Sequence, residues 1–157
     1  QYHIKSRDNA RTPMQWTSDK HAGFSTGDPW FRVNDTYDIC NAASQVGVAD
    51  SPFEYWRAIL ALRKQMLDIF VYGDFNIIDA EHEDIFAYTR TFKGHTVLVA
   101  CNFRQHDVDW KLPTDMKLDE LLISNYEGAE IDEGIVRMRA FEAFAYIQKE
   151  HASLSRL

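Results

Sequence analysis

Cysteine is scarce in this sequence. Cys40 and Cys101 stand alone, and neither belongs to a Cys-x-x-Cys pair or a metal-type spacing. Two lone thiols fit a reducing compartment, with a single disulfide left open. Long apolar runs are missing as well. None approaches the roughly 20 residues that a membrane-spanning helix needs, so no membrane partner is expected. Positive charge is outnumbered, at 17 Lys and Arg against 24 Asp and Glu. The resulting net charge of -7 argues against a nucleic-acid partner, which would want clustered lysine and arginine. An acidic sum is otherwise a matter of solubility and says nothing about substrate. The six histidines show no His-x-x-x-His spacing, so neither a metal nor any other cofactor is expected. The opening residues, Gln1-Tyr2-His3-Ile4-Lys5, carry no initiator methionine, signal peptide or transit-peptide bias. The expectation is a segment of a longer chain. Repeats and low-complexity stretches are absent too.

What remains is ordinary globular material, 45% apolar and 26% charged over 157 residues. That length can bury one good core, or one small domain plus part of another. Residues 1 to about 50 are rich in Asp, Asn, Gly, Ser and Thr and hold no sustained period. So long a structureless stretch is expected to be functional or to lean on structure outside the segment.

A helix is expected from Ser51 to Met66. Ser51-Pro52-Phe53-Glu54 supplies a capping serine, a proline at the first helical position and a glutamate at the third. Phe53, Trp56, Ile59, Leu60 and Arg63 follow at helical spacing, and Arg63 and Lys64 suit the negative end of the helix dipole. The broad apolar face predicts cover on more than one side. From Ile69 onward the pattern becomes β-type. Strands are expected near residues 75–79, 85–92, 96–102, 108–112, 118–124, 134–138 and 143–148, with a tight turn at Lys93-Gly94 and a loop at Pro113-Thr114-Asp115. Seven short strands at that spacing argue for an antiparallel sandwich.

The most informative segment is Ser6 to Trp16, which reads Ser-Arg-Asp-Asn-Ala-Arg-Thr-Pro-Met-Gln-Trp. It has no helical or strand period, so core packing does not demand it. Irregular segments dense in donors and aromatics are usually loops that hold a ligand or do chemistry. The run resembles the signature of the α-glucosidases and oligo-1,6-glucosidases of the α-amylase superfamily, glycoside hydrolase family 13. There, Arg-Asp-Asn-x-Arg-Thr-Pro-Met-Gln-Trp lies in the loop after the eighth strand of a (β/α)8 barrel. Gly23-Phe24-Ser25, Asp28-Pro29-Trp30, Cys40-Asn41, Trp56 to Lys64, Tyr72-Gly73, Phe86-Ala87-Tyr88 and Asn102-Phe103 also fall in that family's order. The resemblance covers all but about the last dozen residues. It implies an α+β segment: the end of the barrel (a loop plus its last helix) followed by an antiparallel β-sandwich, domain C. The boundaries expected are 1–69 for the barrel end, 70–150 for the sandwich and 151–157 for a tail.

By the same resemblance, Arg7 lines the pocket for the terminal, non-reducing glucose. A guanidinium suits that task because its rigid fork of donors can hold two vicinal sugar hydroxyls. Arg11 either touches the next sugar or braces the loop by bonding carbonyls, and both readings stay open. Asp8 and Asn9 are expected to fix the loop through their own backbone. Pro13 is expected to stiffen its exit, and Met14 and Trp16 to set it in the core. Trp30 and Phe31 form a sugar platform or, more commonly for loop aromatics, pack. The acids Asp79, Glu81, Glu83 and Asp84 fall at a hairpin turn, where they are expected to be solvated.

Retaining glycoside hydrolysis requires two carboxyl groups about 5–5.5 Å apart. In the resembled family these precede the present Gln1, so the catalytic list here is empty and the segment alone is expected to be inactive. The implied substrate is an oligosaccharide of maltose, isomaltose or sucrose type. The implied partner is the N-terminal barrel of the same protein. The family commonly shows a different sequence where this chain has Cys40-Asn41-Ala42-Ala43-Ser44-Gln45, which puts the fit of that loop in doubt. Relatives of this kind imply a cytoplasmic location, against which stands the ending Ser155-Arg156-Leu157, a variant of the Ser-Lys-Leu peroxisomal tripeptide. Competing readings are a sugar isomerase or transglycosylase of the isomaltulose or trehalose synthase type, a non-catalytic transporter heavy-chain relative, and a free-standing sugar-binding sandwich. Weak folding in isolation is expected, because the helix would expose its barrel-facing side.

Overall fold

The computed structural model describes residues 10–149. These divide into two units, with the boundary in sequence between Arg57 and Ala58. Ser51 Oγ accepts the amide of Glu54 at 3.2 Å, the expected N-cap bond, and opens α1 (Pro52–Gln65). The reciprocal half of the capping box does not form. The Glu54 carboxylate accepts instead from the Gly47 amide at 2.8 Å and pairs with Arg57. Gln45 completes the cap: its Oε1 accepts the Phe53 amide at 3.2 Å, and its carbonyl accepts Ser51 Oγ at 2.8 Å. Two of the orphan amides of the first turn are thereby satisfied.

No residue of α1 is buried. The cover expected on more than one side is absent among the described residues, and Trp56 and Leu60 are 64% and 59% exposed. A stripe at helical spacing is built for a facing element, and of its residues only Tyr55, Ile59 and Leu62 are half-buried. Nor is any described helix long and apolar enough to cross a membrane.

Beyond α1 the chain widens into a π-type turn, Asp68–Tyr72, and reaches Gly73. Only glycine fits at that position. A Cβ there would stand 2.6 Å from the Ile69 carbonyl oxygen and 2.9 Å from that of Thr91.

Eight antiparallel strands follow: β1 (Asp74–Ile78), β2 (Ile85–Phe92), β3 (His95–Asn102), β4 (Val108–Lys111), β5 (Glu120–Ser124), β6 (Glu130–Asp132), β7 (Ile135–Met138) and β8 (Ala143–Gln148). The first sheet has the order β1-β2-β3-β8-β5, the second β4-β7-β6. Lys93 and Gly94 both take positive φ, 48° and 80°, as the tight turn between β2 and β3 requires. Strand alternation sends Ile85, Ala87, Leu98, Ala100 and Phe144 of the larger sheet inward against Val108, Trp110, Val136 and Met138 of the smaller. This is the expected sandwich. The one strand not anticipated is β6, whose three residues are all exposed and two of them acidic, so no apolar alternation marks it. It is held at the edge of the smaller sheet by a second positive-φ turn, Glu133-Gly134.

Across the opposite face of the larger sheet, Val97, Ala145 and Ile147 are closed over by Met66, Ile69 and Phe70. Cys101 and Tyr88 belong to this sheet, and partial burial raises both above their ordinary values of 9.0 and 10.0, Tyr88 also through the nearby Cys101. A raised folded value means a contribution that is whole below the ordinary value and lost as pH climbs through the raised one. Unfolding midpoints in urea are therefore expected to fall as pH rises beyond 9.0. Cys101→Ala should make that fall shallower, and parallel curves for the two proteins would refute the assignment.

Candidate functional site

Arg7, Asp8 and Asn9 lie outside the described residues, as does the tripeptide Ser155-Arg156-Leu157. From Arg11 onward the motif can be followed. Arg11 and Thr12 are exposed and Pro13 is buried. Met14 and Trp16, expected in the core, are 49% and 51% exposed. The reason is that backbone bonds, and not these side chains, fix the segment. The Gln15 and Trp16 carbonyls accept the amides of Ala42 and Ala43, each at 2.9 Å. Gln15 Nε2 donates to the Cys40 carbonyl. The Trp16 and Thr17 amides share the Ala22 carbonyl at 2.9 and 3.1 Å.

The loop that departs from the family pattern is locally well satisfied. Asn41 is buried; its Nδ2 donates to the Tyr37 carbonyl and its Oδ1 accepts the Ser44 amide, both at 2.9 Å. From there Gln45 reaches α1 as described above. Motif, loop and helix start are thus linked in series by Gln15, Asn41 and Gln45. Sequence reading missed the parts of Gln15 and Gln45, since each bonds backbone remote in sequence. Between these segments lies a cavity of about 490 Å³ whose walls include Pro13, Met14, Asn41, Gln45, Phe53 and Trp56. Among the described residues its walls carry the amides of Gln15, Asn41 and Gln45 and the Cys40 thiol, and no carboxylate, histidine or amine.

Next to the motif, His21, Ala22 and Gly23 all adopt left-handed backbone, with φ of 58°, 58° and 64°. Only the glycine takes this without steric cost, so the turn is strained. A Cβ on Gly23 would also meet Thr17 Oγ1 at 2.5 Å. The turn aims His21 Nε2 at Asp28 Oδ1, 3.1 Å away. Two residues on, Trp30 is 91% exposed, its ring tilted against Phe31 at 4.6 Å between centroids.

The acids between β1 and β2 differ from expectation, because two of them are engaged and not merely solvated. Asp79 Oδ2 accepts Trp110 Nε1 at 2.8 Å. Asp84 receives Arg104 Nε at 2.5 Å, while Arg104 also donates to the Glu83 carbonyl at 2.8 Å. These carboxylates pin the hairpin to the sandwich. Among the described residues, no group of His, Cys, Asp and Glu could hold a metal ion.

An irregular arginine-bearing segment, a helix and then a two-sheet antiparallel sandwich define the class of this chain's architecture. Comparison gives the class a family. Residues 1–73 match the model for the alpha-amylase catalytic domain, and residues 85–144 that for the alpha-amylase SusG C-terminal domain. The chain belongs to the α-amylase family, glycoside hydrolase family 13, and comprises the end of its catalytic domain and its C-terminal domain.

It is 41% identical over 150 residues to an oligo-1,6-glucosidase of Halalkalibacterium halodurans, covering 94% of this chain and 27% of that protein. It is 37% identical over 125 residues to an alpha-glucosidase of Schizosaccharomyces pombe, covering 78% and 22%. Among solved structures, the trehalose-6-phosphate hydrolase of Bacillus licheniformis superposes with a TM-score of 0.84 at 31% identity, over 93% of this chain and 27% of that one. A trehalulose synthase superposes with a TM-score of 0.86 at 33% identity, over 94% and 27%. The chain spans about a quarter of the length of these relatives.

Proposed function

We propose that the full-length protein is a retaining α-glucosidase that releases terminal α-linked glucose from maltose-, isomaltose- or sucrose-type oligosaccharides. The observation that carries this reading is the likeness to oligo-1,6-glucosidases at about 40% identity, unbroken from the arginine-bearing loop through the sandwich. Arg7 grips the terminal glucose through its fork of donors. Arg11, exposed at the head of a segment held by Gln15, contacts the neighbouring sugar. The segment contributes binding and positioning. The nucleophile and the proton donor belong, by the family resemblance, to the upstream barrel; Asp79 and Asp84 are engaged with Trp110 and Arg104. The 157 residues alone do not hydrolyse glycosides.

The test is an enzyme in which this chain replaces the carboxy-terminal quarter of the H. halodurans relative, assayed on a nitrophenyl α-glucoside. Loss of a charged hydrogen-bonding group of this kind costs about 1.5–3 kcal/mol, or about tenfold to a hundredfold in kcat/KM. Arg7→Met should show that drop, and unchanged kinetics would sink the assignment. A second reading, sugar isomerisation, is favoured by the close superposition on trehalulose and isomaltulose synthases. Product analysis after incubation with sucrose separates the two: glucose and fructose mark hydrolysis, a rearranged disaccharide marks isomerisation.

A further inference from the structure

Consecutive residues in left-handed backbone are rare, because an L side chain there crowds the following carbonyl. His21 and Ala22 nevertheless take it, with φ/ψ of 58°/27° and 58°/25°, and Gly23 continues the run at φ 64°. Such a run persists only where its surroundings over-determine it, and strained backbone of this kind gathers where geometry serves function.

The bonds of the turn converge on the end of the arginine-bearing motif. Ala22 is fully buried, and its carbonyl accepts the Trp16 and Thr17 amides together, at 2.9 and 3.1 Å. Its own amide donates to the Asp19 carbonyl at 2.9 Å. Thr17 closes the circuit: Oγ1 donates to Asp19 Oδ2 at 2.8 Å and accepts the Asp19 amide at 3.2 Å. Gly23 sits so near the same threonine that a Cβ would stand 2.5 Å from Oγ1. The motif's end is thus gripped through its amides by the turn, while the Gln15 and Trp16 carbonyls accept from Ala42 and Ala43.

Upstream of this grip the chain has little freedom. Pro13 is buried, its ring fixes its φ, and it biases Thr12 toward extended backbone. Arg11 stands immediately before them, so whatever sets the Trp16 and Thr17 amides also sets where its guanidinium is presented. A rigid fork of donors is effective only over a narrow range of positions. All of these residues fall in the first of the two units.

We propose that the left-handed turn His21–Gly23 is a positioning element for Arg11, setting the reach of its guanidinium toward the second sugar through the Ala22 carbonyl and the Trp16 and Thr17 amides. This rests on the reading of Arg11 as a contact for that sugar. The turn thereby governs preference for a leaving group that is a sugar over one that is not.

The test compares two variants of one residue in the chimeric enzyme described above. His21→Gly and His21→Val both remove the imidazole, and with it the approach to Asp28 Oδ1. Glycine accepts a φ of 58° freely, whereas a β-branched side chain opposes it. Isomaltose presents a second sugar to Arg11, and a nitrophenyl α-glucoside presents none. His21→Val should therefore lower kcat/KM about tenfold for isomaltose, the range for a hydrogen bond to a charged group, and less than about twofold for the nitrophenyl glucoside. His21→Gly should stay within about twofold of the parent on both. Arg11→Met should reproduce the selective loss, and adding His21→Val to it should remove no more, since both act on one contact.

An equal fall on both substrates in His21→Val is what a merely structural turn would give, and it overturns the positioning role. A selective loss in Arg11→Met that His21→Val fails to show also overturns it, and leaves the sugar contact standing. No selective loss in Arg11→Met overturns the contact itself, and the positioning role with it. Amide exchange reads the grip without any activity. The Trp16 and Thr17 amides should exchange at least about tenfold faster in His21→Val than in His21→Gly, and equal rates overturn the grip.

Discussion

Replacing Arg139 with methionine is expected to destabilise the sandwich by about 3–5 kcal/mol, the usual result of stripping a buried charge of its partner. Glu142 is fully buried in the turn that carries the chain from β7 in one sheet to β8 in the other. Its two oxygens take charge-assisted bonds from Arg139, at 2.8 Å from a terminal nitrogen and 2.9 Å from Nε. Arg139 also donates to the Gly128 carbonyl and lies 4.3 Å over the Tyr126 ring. The Glu142 hydrogen bond is the leading cause that raises the guanidinium above its ordinary value. Methionine keeps the stem of the side chain and leaves one oxygen of Glu142 without a donor, while the Arg139 backbone amide still serves the other at 2.8 Å.

The pair need not be a net stabiliser relative to an apolar one. A double variant, Arg139→Met with Glu142→Leu, should therefore recover much of the lost stability. Urea unfolding of the three proteins decides the matter. A single variant within 1 kcal/mol of the parent (the range of an exposed ion pair) would show that the charge is not truly desolvated.

That turn illustrates what a sequence withholds. Arg139 and Glu142 are three apart in a segment with no helical period, so nothing local marks them as partners. Asn102 is buried and donates to the His106 and Arg139 carbonyls, both at 2.9 Å, bringing together backbone 37 residues apart. The helix start was legible because Ser51 and Glu54 interact within one turn. The hairpin at Lys93-Gly94 was legible because the turn geometry itself selects those residues. By contrast, the role of Gln45 as a cap on Phe53, and of Asp79 as acceptor for Trp110, depends on folding distant chain together. Local pattern fixes elements; long-range polar pairing does not appear in it.

The same distinction governs the candidate site. The motif around Arg7 identified the family because it is a rare string, not because it has a period. Reading Met14 and Trp16 as core residues followed from their composition, and their half-exposure reflects a segment fastened by its peptide groups. An apolar side chain next to such a segment is free to face another surface, as it does along the cavity with Phe53 and Trp56. What the residues could not disclose is which surface that is.

Trp110→Ala is expected to cost about 3–5 kcal/mol, in the range for emptying an aromatic from a well-packed core. Trp110 is 1% exposed and is the largest of the fully buried side chains. It stands among Leu98, Ala100, Val136 and Phe144 where the two sheets meet. Two contributions can be separated. The ring fills space between sheets, and Nε1 donates to Asp79, which holds a positive φ of 47° at the end of β1. Trp110→Phe removes the donor and part of the ring. Because Asp79 is exposed and can turn to water, the lost bond itself should cost only about 1 kcal/mol. Alanine should therefore be much the worse of the two. If phenylalanine proved as damaging as alanine in urea unfolding, the hydrogen bond to Asp79 would outweigh cavity filling, and the inter-sheet core would not be the dominant source of stability.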